Sequence, residues 1–75
     1  LAELTIELLD KPGQLQGVSE IISSLGGNVV SVAHDRADLN TDINACYLRI
    51  SMETRNQHHV EEIKAELIKN GYRIV

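Results

Sequence analysis

Asp10-Lys11-Pro12-Gly13 is the stretch on which the fold turns. On its N-terminal side Ala2, Leu4, Ile6 and Leu8 alternate with Glu3, Thr5 and Glu7, the pattern of a strand buried on one face. On its C-terminal side Leu15, Val18, Ile22 and Leu25 recur at helical spacing, and Ile21 broadens the stripe. Pro12 suits a first helical position, where a missing N–H costs nothing. Gly13 allows close approach to the backbone. The unpaired amides of a helix start face outward and can hold a carboxylate or phosphate. Strand, tight turn and amphipathic helix together imply a small-ligand site without chemistry of its own.

Outward from this turn, strand one is expected over 1–9 and helix one from Pro12 to Leu25. Gly26-Gly27 stops the helix, because glycine takes the left-handed conformation readily. Asn28 leads into a second strand over 29–36. There Val29 and Val30 break the alternation, which predicts a bulge or burial on both faces. Residues 37–44 are polar and rich in turn formers, so they read as a long loop and the most mobile internal segment. Strand three alternates cleanly from Ala45 to Glu53, with Cys46, Leu48, Ile50 and Met52 inward. Asn56 is a cap for helix two, whose stripe is Val60, Ile63 and Leu67, joined by Ile68. Asn70-Gly71 ends it, and Tyr72 to Val75 forms a short last strand. The order β-α-β-β-α-β predicts an α+β, ferredoxin-like sandwich, a four-stranded antiparallel sheet with both helices on one face.

Composition bounds what such a domain can do. With 75 residues the chain is one domain over 1–75, and its start at Leu1 within a strand pattern reads as a fragment of something longer. Its core holds no Phe or Trp and draws on two Tyr. A core of this size supplies no more than about 3–5 kcal/mol, so assembly with another copy or a parent chain is expected. The net charge of −4 argues against a nucleic-acid surface. There is no run of 18 apolar residues and no signal-peptide pattern, so no membrane span is expected. A single cysteine forms no internal disulfide, which fits a reducing, cytoplasmic setting.

Several residues are candidates for a site. Asp10 could receive a ligand's ammonium group while the following amides hold its carboxylate; it could equally only order the turn and favour the helix dipole. Asn28 could donate to a carboxylate and accept from an amine, or simply complete the helix stop. His34 and Asp35 are adjacent on a strand and so face opposite ways, which rules out a dyad and leaves His34 to Arg36 as a polar strand exit. His58 and His59 have the wrong spacing for metal ligands on one helix face. Gln16-Gly17-Val18 echoes an acylphosphatase loop, but it falls inside the helix stripe and lacks an arginine. An RNA-recognition role needs more aromatics than Tyr47 on strand three. No Ser/His/Asp or Cys/His set assembles, so the domain in isolation is not read as an enzyme.

The residues also resemble a known family. Asp10-x-Pro12-Gly13-x-Leu15 followed by Leu25-Gly26-Gly27-Asn28-Val29, on a βαββαβ frame, resembles an ACT domain, the amino-acid-sensing module of metabolic enzymes. Asn28 to Arg36, Glu53-Thr54-Arg55, His59 to Ile63 and Gly71-Tyr72-Arg73 resemble the C-terminal regulatory domain of threonine dehydratases. The resemblance implies an allosteric domain that binds a small amino acid at the interface of a homodimer or higher homo-oligomer. It implies effector contacts at Asp10 and Asn28, with backbone contributions from Lys11, Gly13, Gln14 and Leu15. It implies pyridoxal phosphate in a separate catalytic domain and no cofactor or metal here. Some serine-sensing members have Asn at the first position and His two residues earlier. Asp10 and Leu8 stand there in this chain, which argues against serine and leaves room for a more apolar effector; the likeness to threonine dehydratases implies isoleucine or valine as the feedback signal. A structural dimerisation domain without a ligand is the alternative.

Overall fold

The computed structural model describes residues 1–9, 13–36 and 45–75, with Leu9, Asp35, Arg36 and Ala45 described by their backbone only. The elements run β1 (Ala2–Leu9), α1 (Gln14–Ser24), β2 (Asn28–Arg36), β3 (Ala45–Glu53), α2 (Gln57–Lys69) and β4 (Arg73–Ile74). The four strands form one antiparallel sheet in the order β2-β3-β1-β4. This is the expected ferredoxin-like α+β arrangement. Pro12 and the 37–44 loop lie outside the described residues.

The two central strands make the core. Leu4, Ile6 and Leu8 of β1 stand opposite Ile50, Leu48 and Cys46 of β3, and all six are buried on one face. Val18 and Ile22 of α1 and Val60, Ile63 and Leu67 of α2 close over them. The alternate positions Glu3, Thr5, Glu7, Arg49 and Ser51 give the opposite face its polar character. The period of 2 in the strands and the i, i+4 stripes in the helices thus meet on one apolar layer. Ile68 departs from the expected stripe. It is 60% exposed, because a fourth apolar residue one step beyond Leu67 turns about 100° away from the core.

The irregularity in β2 is a bulge. Val29 pairs with Met52 and Ser31 with Ser51, leaving Val30 as the extra residue. Burial on both faces is not the explanation: Val30 is 51% and Val32 42% exposed. β2 is an edge strand of nine residues, and none of its described side chains is fully buried.

Both helices end in the same hydrogen-bonded reversal. After α1 the Gly26 N–H donates to the Ser23 carbonyl and the Gly27 N–H to the Ile22 carbonyl, with Gly26 at φ +87°. After α2 the Gly71 N–H donates to Ile68 and the Tyr72 N–H to Leu67, with Gly71 at φ +89°. These paired bonds satisfy carbonyls that a helix end otherwise leaves open. Gly17 inside α1 has a packing reason rather than a loop role, since a methyl group there would run into the Tyr72 hydroxyl. Gly27 is tighter still. A Cβ at this position would lie 2.7 Å from the Ile22 Cγ2 and 3.1 Å from the Ile63 Cδ1, both on buried side chains. Gly27→Ala should therefore lower stability by about 1–3 kcal/mol, the cost of overpacking a filled core. Urea denaturation of the two proteins measures this, and an unchanged midpoint would contradict it.

Candidate functional site

The start of α1 is made by a glycine. Gly13 is its N-cap at φ +85° and provides no side-chain hydrogen bond, and the first turn contains no acidic residue. The first intrahelical bond runs from the Gly17 N–H to the Gly13 carbonyl at 3.0 Å. The N–H groups ahead of it point out of the helix at the positive end of its dipole. Nothing described lies within 4 Å of where a Gly13 side chain would begin. Gln14 is half-buried, whereas Leu15 is 46% exposed and stands off the core. Its apolar surface is thus available beside the amides. Asp10 and Lys11, the other expected contacts at this turn, lie outside the described residues.

Asn28 is at the other end of the molecule. It opens β2 directly after the Gly26-Gly27 reversal, opposite Glu53, and its Nδ2 donates to Glu53 Oε1 at 2.9 Å. One amide donor is thereby committed and the Oδ1 acceptor is presented. α1, 11 residues long, spans about 16 Å between the Gly13 turn and this segment. The sheet places them on opposite ends as well. Leu9, just before the turn, pairs with Ala45 at the start of β3, and Asn28 pairs with Glu53 at its end, about 27 Å along the strand. A free amino acid reaches well under half that distance. Within one copy, Gly13 to Leu15 and Asn28 do not share a ligand.

The histidines serve different ends. His58 is exposed, and its Nε2 lies 2.9 Å from Glu62 Oε1 one turn on. His59 is 1% exposed. Its backbone N–H donates to the Asn56 Oδ1 at 2.8 Å, the expected N-cap of α2. Its Nδ1 accepts from the Arg55 N–H at 3.0 Å, so its Nε2, 2.7 Å from the Leu25 carbonyl, is the protonated nitrogen. Sequence reasoning missed this role. The signal was present, since His59, Ile63 and Leu67 are spaced by four and share the buried stripe. His34 stands opposite Leu48 on β2 and is exposed. Among the described residues no three His, Cys, Asp or Glu side chains gather as a metal site. No helix among them is long and apolar enough to cross a membrane.

These features define a small ferredoxin-like α+β domain with a glycine-started helix at one end and a hydrogen-bonded asparagine at the other. No family model matches the chain. It is similar to the L-threonine ammonia-lyase of Thermotoga maritima, 37% identical over 67 residues that make up 89% of this chain and 17% of that enzyme. It is also similar to the L-threonine ammonia-lyase of Geobacter sulfurreducens, 31% identical over 72 residues, 96% of this chain and 18% of that enzyme. The chain thus spans less than a fifth of the length of the curated relatives it matches. It resembles a segment of threonine ammonia-lyase, also called threonine dehydratase, as its motifs imply.

The positive φ of Gly13 sets a test of the helix start itself. Gly13→Ala should cost about 1–2 kcal/mol, because a Cβ strains the left-handed backbone although the space around it is open. Gly13→Asn should cost clearly less, since asparagine tolerates this conformation. Equal losses by thermal denaturation would mean that crowding, not backbone conformation, keeps glycine here.

Proposed function

We propose that this chain is the allosteric, ACT-type regulatory domain of a pyridoxal-phosphate-dependent threonine dehydratase. In this role it binds a small apolar amino acid, isoleucine or valine, between two copies of itself. The observation that carries this reading is the separation of the Gly13 turn from Asn28 by the full length of α1. Two half-sites at opposite ends of one copy become one site when a second copy is set antiparallel to the first.

The exposed edge of β2 suits that arrangement. An edge strand offers an unpaired row of N–H and C=O groups, and β2 adds the exposed Val30 and Val32. Two β2 edges paired antiparallel about Val32 set Asn28 of one copy beside Arg36 of the other. Arg36 pairs with Cys46 at the same end of the sheet as Leu9 and the Gly13 turn. The effector carboxylate then meets the amides of Gly13, Gln14 and Leu15, with Lys11 adjoining. Its ammonium group meets Asp10 and the Oδ1 of Asn28 from the second copy. Its side chain lies against Leu15. An effector that prefers the paired arrangement shifts the enzyme's equilibrium toward it by the difference in affinity.

Pyridoxal phosphate belongs, in this reading, to another part of the enzyme. Neither described lysine is buried: Lys69 is exposed at the end of α2, and Lys64 lies 3.9 Å from Glu61 on its surface. The domain would act in the same compartment as that enzyme, the cytoplasm.

Calorimetry on the full-length enzyme with isoleucine and with valine tests the site. Asp10→Ala should weaken binding by roughly ten- to hundredfold, the loss of one charge-assisted contact. Asn28→Ala should weaken it less. Mixed dimers of the two variants separate a shared site from a local one. Sharing predicts that one site per dimer regains wild-type affinity, because one copy supplies Asp10 and the other Asn28. No regained site in the mixture would mean that each copy binds alone, and equal affinity of Asp10→Ala and wild type would leave only a structural dimer.

The interface has its own test. Val32→Lys places two ammonium groups together at the centre of the paired edges. Sedimentation equilibrium of the 75-residue chain should show a dimer for wild type and the 8.3 kDa monomer for the variant. A wild-type monomer at micromolar concentration would remove the dimer.

A further inference from the structure

The Asn28 end of the molecule is held by a buried imidazole that none of the roles above requires. Leu25, Gly26 and Gly27 make the reversal that delivers Asn28 to the start of β2. The carbonyl of Leu25, the C-cap of α1, is free of intrahelical donors by position, and His59 Nε2 reaches it at 2.7 Å from the first turn of α2. The other ring nitrogen takes the Arg55 N–H, two residues after the Glu53 that holds the Asn28 side chain. Gly26 completes the contact: a Cβ there would lie 3.6 Å from an Arg55 guanidinium nitrogen and 3.9 Å from His59 Nε2. The segments 25–28 and 53–59 are thus joined at both the backbone and the side-chain level. The joint is far from the Gly13 turn, and the imidazole at its centre is buried.

We propose that His59 is the positioning residue for the Asn28 half of the effector site. Its bond to Leu25 fixes the Gly26–Asn28 segment, and its bond to Arg55 ties that segment to the strand end that bears Glu53. The proposal rests on the dimer-interface site described above and adds to it a residue that touches no ligand. The imidazole is suited to this because it is a donor on one side and an acceptor on the other at a fixed spacing. Neither a lysine nor a carboxylate can do both.

Two substitutions divide the ring's functions. In His59→Gln the amide nitrogen falls where Nε2 was and keeps the donor to Leu25, while the acceptor for Arg55 is lost. In His59→Asn the side-chain oxygen falls where Nδ1 was and keeps the acceptor, while the donor to Leu25 is lost. Both retain the Asn56 cap, which uses the backbone N–H of residue 59. A merely structural histidine makes the two variants alike, since each loses one hydrogen bond.

Hydrogen exchange by mass spectrometry on the full-length protein reads the segment directly. In His59→Asn the peptide covering 25–30 should exchange about five- to tenfold faster than in His59→Gln, the equivalent of one hydrogen bond. Titration of the same proteins with L-isoleucine and L-valine should show a matching loss of affinity in His59→Asn and a clearly smaller loss in His59→Gln, which keeps the bond to the segment itself. Equal exchange of this peptide in the two variants, whether fast or slow, overturns the proposal, as does faster exchange in His59→Gln. Wild-type protein that binds neither amino acid defeats the effector reading instead, and the exchange comparison still decides whether His59 fixes the segment.

Discussion

The constraint on which the molecule depends is the fixed length of α1 between two glycines of positive φ. Gly13 at +85° starts the helix and Gly26 at +87° ends it. L-residues with side chains rarely adopt either conformation, so the points where the chain enters and leaves the helix are specified locally. Eleven helical residues then carry the chain back along the sheet, and β1 and β2 run parallel with β3 between them. Other placements follow from this. The apolar stripe of α1 covers the sheet, the amides of the helix start stand at one end, and Asn28 is carried to the other.

Much of this was legible in the sequence because it is local. The alternation of β1 and β3, the asparagine cap at Asn56 and the glycine stops each depend on a few neighbouring residues, and the structure has them where those residues stand. The bulge at Val30 was legible as a break in period, though only the pairing of Val29 with Met52 and Ser31 with Ser51 decides it against double-sided burial. Ile68 was assigned to the stripe on hydrophobicity, yet one residue past Leu67 it turns about 100° toward solvent. What failed otherwise was long-range. His59 was weighed only against metal binding. Its true partners, Leu25 and Arg55, lie on segments that no spacing rule connects to it.

Of the candidate site, sequence supplied the residue types but not their distance. As residue types Asp10 and Asn28 suit one ligand, and nothing in a linear string shows that the Gly13 turn and Asn28 stand at opposite ends of a helix. The separation follows only once α1 is laid along the sheet. Leu15 illustrates the same point from the other side. On the helical stripe it reads as core, whereas in the fold it lies beyond the edge of the apolar layer and its exposure makes it a surface contact.

The small size of the core bears on how such a domain could respond to a ligand. Its buried apolar layer is aliphatic, with Met52 and Cys46 its sulfur-containing members and neither tyrosine ring fully buried. A core of this kind supplies no more than about 3–5 kcal/mol. A ligand present at 100 times its dissociation constant contributes about 2.7 kcal/mol to the state that binds it. The two quantities are of the same order, so occupancy of an interface site is a large perturbation on the scale of the domain's own stability. A larger core would hold the paired and unpaired states alike rigid and leave binding energy little to change. In this fold none of the described side chains of the edge strand β2 is fully buried, and its first residue is tied to the rest through Glu53 and, one reversal earlier, through the bond of His59 to Leu25. In a domain that bound an effector at this edge, the small core would supply the sensitivity and these few bonds would set the position of Asn28.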